Sequence, residues 1–142
     1  MKSSRPLEIG TWALIGISAF GVFSVSAMAF MDPQGVMDLV NVELENNDAF
    51  SSIRGVYGGV GFTLLAVLGY LAWKDRTAAV GLLSIFWGLY ALSRMITIGV
   101  EGELGAFGSQ WLAIESTLSI LALVILGLRL SAVKAGRFAI AK

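Results

Sequence analysis

The fold class predicted by the sequence is all-α: an integral membrane bundle of four transmembrane helices with both termini cytoplasmic. Three observations predict it. Hydrophobic residues make up 56% of the 142-residue chain and charged residues only 14%, whereas soluble domains carry about a quarter charged. The apolar residues are gathered into four runs, each near the roughly 20 residues that cross a hydrocarbon layer as a helix. Finally, the charges between the runs are sorted by sign. Lys2, Arg5, Lys74, Arg76, Arg129, Lys134, Arg137 and Lys142 fall on the side of the N-terminus, the second link and the C-terminal tail. The loops of the other side hold no Lys or Arg but carry Asp32, Asp38, Glu43, Glu45, Asp48, Glu101 and Glu103. By the positive-inside rule the basic side is cytoplasmic.

The spans are expected at about 9–31, 54–73, 78–98 and 111–130, within a single domain of residues 1–142. They must be helices, because in lipid every backbone N–H and C=O needs a partner within its own segment. The first begins like a secretory signal, with Lys2 and Arg5 ahead of an apolar stretch and Ala27-x-Ala29 near its end. Its apolar stretch exceeds a typical signal core, so it is read as the first span. An outer loop is expected at 32–53; there Val40, Val42 and Leu44 alternate with polar residues, the pattern of either a short strand or a loop against the membrane. The second and third spans are joined only by "KDRT" and form an antiparallel hairpin. "GELGAFGSQ", 102–110, reads as a flexible outer turn whose glycines would let it act as a lid. Residues 131–142 form a basic cytoplasmic tail, either lying on the anionic inner surface or continuing the helix. Trp12, Trp73 and Trp111 suit the aromatic belts of the interfaces.

Much chemistry is closed off. The chain has no Cys and no His, which removes disulfides, thiolate metal sites and the usual general base. No catalytic residue, metal site or cofactor is predicted, and a net charge of zero argues for no nucleic-acid partner. Three ionisable residues remain where they are costly: Arg54 opening the second span, Arg94 late in the third and Glu115 early in the fourth. All three fall at the depth of the outer leaflet. Helical spacing sets Trp87 and Tyr90 on the stripe of Arg94, Ser119 on that of Glu115, and Tyr57 beside Arg54. Together they predict a polar cup opening outward, with Arg94 as the partner of Glu115. The competing reading is that Arg94 and Glu115 only staple two helices while Arg54 snorkels to the interface. Gly55, Gly59, Ala66 and Gly69 form a small-residue seam suited to close helix packing. "GGVGF" lacks the spacing, the preceding strand and the lysine of a nucleotide loop.

Arg54-Gly55-x-Tyr57-Gly58-Gly59, followed by Arg94 and Glu115, resembles a family of small four-helix bacterial inner-membrane proteins designated a domain of unknown function. The resemblance runs from the first span through the fourth, and the basic tail is where departure from it is expected. It implies a multi-pass protein of the bacterial inner membrane and no particular activity. The function expected is non-enzymatic: an accessory subunit of a larger membrane complex, or a binder of an amphipathic lipid or quinone in the cup. Membrane lipids, a larger complex or further copies of the chain are the partners expected. Alternatives are a small oligomeric transporter or proton-coupled carrier, and a lipid- or isoprenoid-modifying enzyme with Glu115 as acid or base and Tyr57 or Tyr90 assisting.

Overall fold

A computed structural model describes the backbone of residues 5–140 and the side chains of residues 5–134. Lys2, Lys142 and the side chain of Arg137, part of the basic side read from the sequence, lie outside these described residues. The elements are α1 (Arg5–Met31), α2 (Pro33–Asp38), α3 (Asn47–Ile53), a π-helical turn (Arg54–Gly59), α4 (Val60–Lys74), α5 (Arg76–Val100) and α6 (Ala106–Ile140). Among the described residues there is no strand. Four segments, Arg5–Met31, Asn47–Lys74, Arg76–Val100 and Ala106–Lys134, are long and apolar enough to cross a membrane.

The helix boundaries follow from local chemistry. Pro6 stands in the first turn of α1, where its missing N–H breaks no bond, and Asp32-Pro33 ends the helix. Asp32 then caps α2, its Oδ1 accepting from the Gly35 N–H at 3.1 Å. The alternation of Val40, Val42 and Leu44 does not become a strand. Asn41 takes a left-handed φ of 56°, and the side-chain amide of Gln34 donates to Val42 O at 3.0 Å and accepts from Leu44 N at 2.9 Å. With those backbone groups satisfied locally, no neighbouring strand is needed. Asn46 caps α3 by accepting from the Ala49 N–H at 2.9 Å. Helical structure therefore runs from Asn47 into the segment expected to begin at 54.

Asp75 is the whole link between α4 and α5, and its Oδ1 accepts from Thr77 N at 2.9 Å and Ala78 N at 3.2 Å. Replacing it with Ala removes an N-cap, so Asp75→Ala should lower stability by about 1 kcal/mol. Thermal unfolding of the detergent-solubilised protein measures this, and an unchanged midpoint would deny the cap any weight. At the other end of α5, Gly102 has φ 105° and its N–H bonds to Thr97 O at 3.2 Å, closing the helix with a left-handed residue. The turn expected over 102–110 is shorter than its composition suggested, because α6 is already helical from Ala106. That helix continues to Ile140, so residues 131–140 prolong it rather than form a separate tail.

The chain divides into two compact units: one built from the residues up to Gly16 with those from Leu71 onward, the other from Ile17–Tyr70. In the first, α5 buries Val80, Leu83, Ser84, Trp87 and Ala91, and α6 buries Glu115, Ser119 and Ala122, at the three- and four-residue steps of one helix face. In the second, α1 buries Ser18, Val22, Ser26 and Ala29, and Leu68 of α4 is likewise enclosed. Hydroxyl groups on these stripes are kept by bonds to their own helix: Thr11 donates to Leu7 O, Ser26 to Val22 O and Ser84 to Val80 O, at 2.7 to 2.9 Å. The opposite faces expose Ile17, Phe20, Val60, Ile85, Leu89, Ile120 and Leu123. Helices apolar on every side belong in lipid or deep within protein.

Candidate functional site

The costly charges of the first unit meet as a pair. Arg94 donates from Nε to Glu115 Oε2 at 2.6 Å and from Nη2 to Oε1 at 2.9 Å, a side-on, two-bond fork between α5 and α6. Glu115 is 2% exposed and the Arg94 side chain 21%. A carboxylate at this burial is tolerable because both oxygens receive charge-assisted bonds. The fork uses two nitrogens of the guanidinium and leaves the Nη1 edge outside the pair.

Helix spacing brings the neighbours expected from the sequence. Ser119 lies one turn along α6 from Glu115 and is buried. Opposite it, Gly88 lets the helices approach, for a Cβ there would lie 3.3 Å from Ser119 Oγ. On α5, Trp87 is buried and Tyr90 is 41% exposed. The Phe86 ring joins them, edge-on to Trp87 with centroids 4.8 Å apart and tilted to Tyr90 at 5.0 Å. Phe86 thus joins the two rings named from the sequence in one aromatic cluster.

Arg54 and Tyr57 belong to the other unit, where each has contacts of its own. Arg54 Nε donates to Phe30 O at 3.2 Å, a carbonyl in the last turn of α1, where such groups lack intrahelical partners and favour a cation. Tyr57 packs against Ala29, Val36 and Met37. A Cβ on Gly58 would collide with the Phe30 ring, and one on Gly61 with Ser26 Oγ. The motif Arg54–Gly59 is the π-helical turn itself, closed by the Val60 N–H on Gly55 O. It serves as the seat for the end of α1: a cation for its last carbonyls, a ring for its core and gaps for its side chains.

The expected packing seam shifts accordingly. Gly55, Ala66 and Gly69 are exposed, and a Cβ on Gly55 or Gly69 would meet nothing within 4 Å. One on Gly59 would meet only backbone, Arg54 O at 4.0 Å. Close approach occurs instead on the face of Gly58 and Gly61, which they share with the buried Leu68 and Ala72 at three- and four-residue steps.

A second charged cluster was missed by sequence reasoning. Glu8 Oε1 pairs with Arg129 Nη1 at 3.0 Å and its Oε2 with Arg76 Nη1 at 3.2 Å. Arg129 also donates to Thr77 Oγ1 and Thr11 Oγ1, each at 3.2 Å. Arg76 and Arg129 read as ordinary orienting charges. The available signal was Glu8, which with Asp75 is one of just two carboxylates among the basic segments. Among the described residues no group of His, Cys, Asp and Glu is placed to hold a metal.

No curated protein and no solved structure matches the chain. A family match extends over residues 11–126, which hold both the Arg54–Gly59 turn and the Arg94–Glu115 pair, and the chain belongs to that family, the Domain of unknown function (DUF4345).

Proposed function

We propose that this chain is a non-enzymatic, multi-pass protein of the bacterial inner membrane, with both termini cytoplasmic, that holds the polar head of an amphipathic lipid or quinone beside Arg94. The carrying observation is the half-used guanidinium. Its Nε and Nη2 are fixed by Glu115, while its Nη1 edge belongs to a side chain that remains 21% exposed. Phosphate and quinone oxygens are acceptors that such an edge recognises. Tyr90, exposed one turn away and tilted against Phe86, offers an apolar wall for a ring or acyl chain. Because Glu115 accepts two bonds from a permanent cation, it suits orientation of Arg94 better than proton transfer.

Carrier activity is less well supported. Glu115 and Arg129 are separated along α6 by about 21 Å, fourteen residues at 1.5 Å each, and no Asp, Glu, His, Lys or Arg lies between them or between Arg76 and Arg94 on α5, where Tyr90 is the one titratable side chain. A proton path through this unit would lack relay groups over most of a hydrocarbon layer of about 30 Å. A second reading, an accessory subunit of a larger complex, is favoured by the uncovered face of Gly55 and Gly69, where a helix of another protein has room to approach.

Native mass spectrometry of the full chain in mild detergent tests both. The wild type should retain a lipid or quinone adduct that the Arg94→Met/Glu115→Leu variant, with the charges replaced by apolar groups, loses. Equal adducts on the two proteins, or none on the wild type, would remove the binding role. A larger assembly with bare subunits would move the conclusion to the accessory reading.

A further inference from the structure

We propose that the cluster of Glu8, Arg76 and Arg129, at the opposite end of α5 and α6 from the Arg94–Glu115 pair, is a separate binding site for the phosphate of an anionic phospholipid. Glu8 divides its two oxygens between two guanidiniums, at 3.0 and 3.2 Å, so one carboxylate faces two cations. Thr77 and Thr11 give Arg129 hydroxyl acceptors but no negative charge. The nearest further carboxylate in sequence, Asp75, is engaged as the cap of α5. Counting the flanking residues, Arg5, Lys74, Arg76 and Arg129 stand against Glu8 and Asp75 at these helix ends, a surplus of two positive charges.

The surplus is placed where a headgroup can reach it. Arg129 is 12% exposed and anchored by its bonds, whereas Arg76 keeps 42% of its side-chain surface open. The Arg76 guanidinium lies 5.7 Å from the centroid of the Trp12 ring, a contact that orients a planar cation without using its N–H groups. Trp12, half exposed and in contact with Arg76, gives an acyl chain apolar surface to follow, and exposed Ile9 and Trp73 stand beside Glu8 and Lys74 in the sequence. A phosphate diester on a lipid satisfies both features, since its oxygens meet the guanidinium fork while its chains stay on the apolar flank.

The test is lipid titration of the full-length, detergent-solubilised protein, read by native mass spectrometry, with phosphatidylglycerol, phosphatidylcholine and inorganic phosphate as the three probes. Phosphatidylglycerol should bind more tightly than phosphatidylcholine, and Arg76→Gln should weaken it about fivefold, the effect of one cation near a phosphate. Glu8→Gln should act in the opposite direction and strengthen binding by a similar factor, because it removes the competing carboxylate while keeping its shape. Arg76 is largely exposed, so its variant should fold even where Glu8→Gln does not, and circular dichroism checks both. Equal affinity for the two lipids, or a folded Glu8→Gln protein that binds phosphatidylglycerol no better than wild type, would overturn the proposal. Displacement of bound lipid by equimolar inorganic phosphate would overturn the lipid assignment in favour of a soluble phosphate. Adducts lost on altering Arg94 but kept in Arg76→Gln report the other site, so the two readings fail separately.

Discussion

Arg94→Met should lower the stability of the detergent-solubilised protein by about 3 kcal/mol, near the lower edge of the range for breaking a buried pair. The remaining Glu115 is 2% exposed and would lose both of its bonds from Arg94, at 2.6 and 2.9 Å. The lower edge applies because the Arg94 side chain is 21% exposed and the pair is not fully dry. Glu115→Gln should cost about half as much, since the glutamine amide of that variant still offers an oxygen to one arm of the fork. The doubly apolar Arg94→Met/Glu115→Leu protein should recover most of the loss, because well-packed hydrophobic groups commonly match or exceed a buried ion pair. Equilibrium unfolding of the wild type, Arg94→Met, Glu115→Leu and the double variant gives a double-mutant cycle. Additive losses, with no recovery in the double variant, would mean that the two side chains do not act as a unit.

Gly61→Ala should be the most damaging single-methyl change, costing about 1 to 3 kcal/mol as overpacking against a backbone-fixed neighbour. The new Cβ would collide with Ser26 Oγ and lie 3.1 Å from Ser26 Cβ. Ser26 is 1% exposed, and its hydroxyl is bonded to Val22 O at 2.7 Å, so α1 itself has to move. Gly58→Ala meets the Phe30 ring instead, and that side chain is about half exposed and can turn outward; its cost should be smaller. Pairing Gly61→Ala with Ser26→Gly removes the obstructing atoms and should restore stability, less about 1 kcal/mol for glycine inside a helix. Thermal unfolding that ranks Gly58→Ala as the more harmful, or shows no rescue by Ser26→Gly, would contradict this packing.

The number of apolar helices, their approximate extents and the level of Arg94 and Glu115 were legible in the chain because each depends on local quantities. Run length against hydrocarbon thickness identifies a span, and residue spacing along a helix sets depth and face. Val40, Val42 and Leu44 were ambiguous for a matching reason. Alternation records only a period of two, whereas the outcome turned on the amide of Gln34, which reaches Val42 and Leu44 from another element.

By itself the sequence determined that Arg54, Arg94 and Glu115 are costly in an apolar chain, since solvation energy depends on the residue and its level. Only the tertiary structure decided what compensates each one. Arg94 found Glu115, Arg54 found the carbonyl of Phe30, and Glu8 gathered Arg76 and Arg129. Close packing likewise fell on Gly58 and Gly61 rather than on Gly55 and Gly69, because small-residue spacing marks faces that can be approached and not the one that is. A partner's identity depends on which helix faces meet and at what rotation, and that is a property of packed surfaces rather than of any one segment.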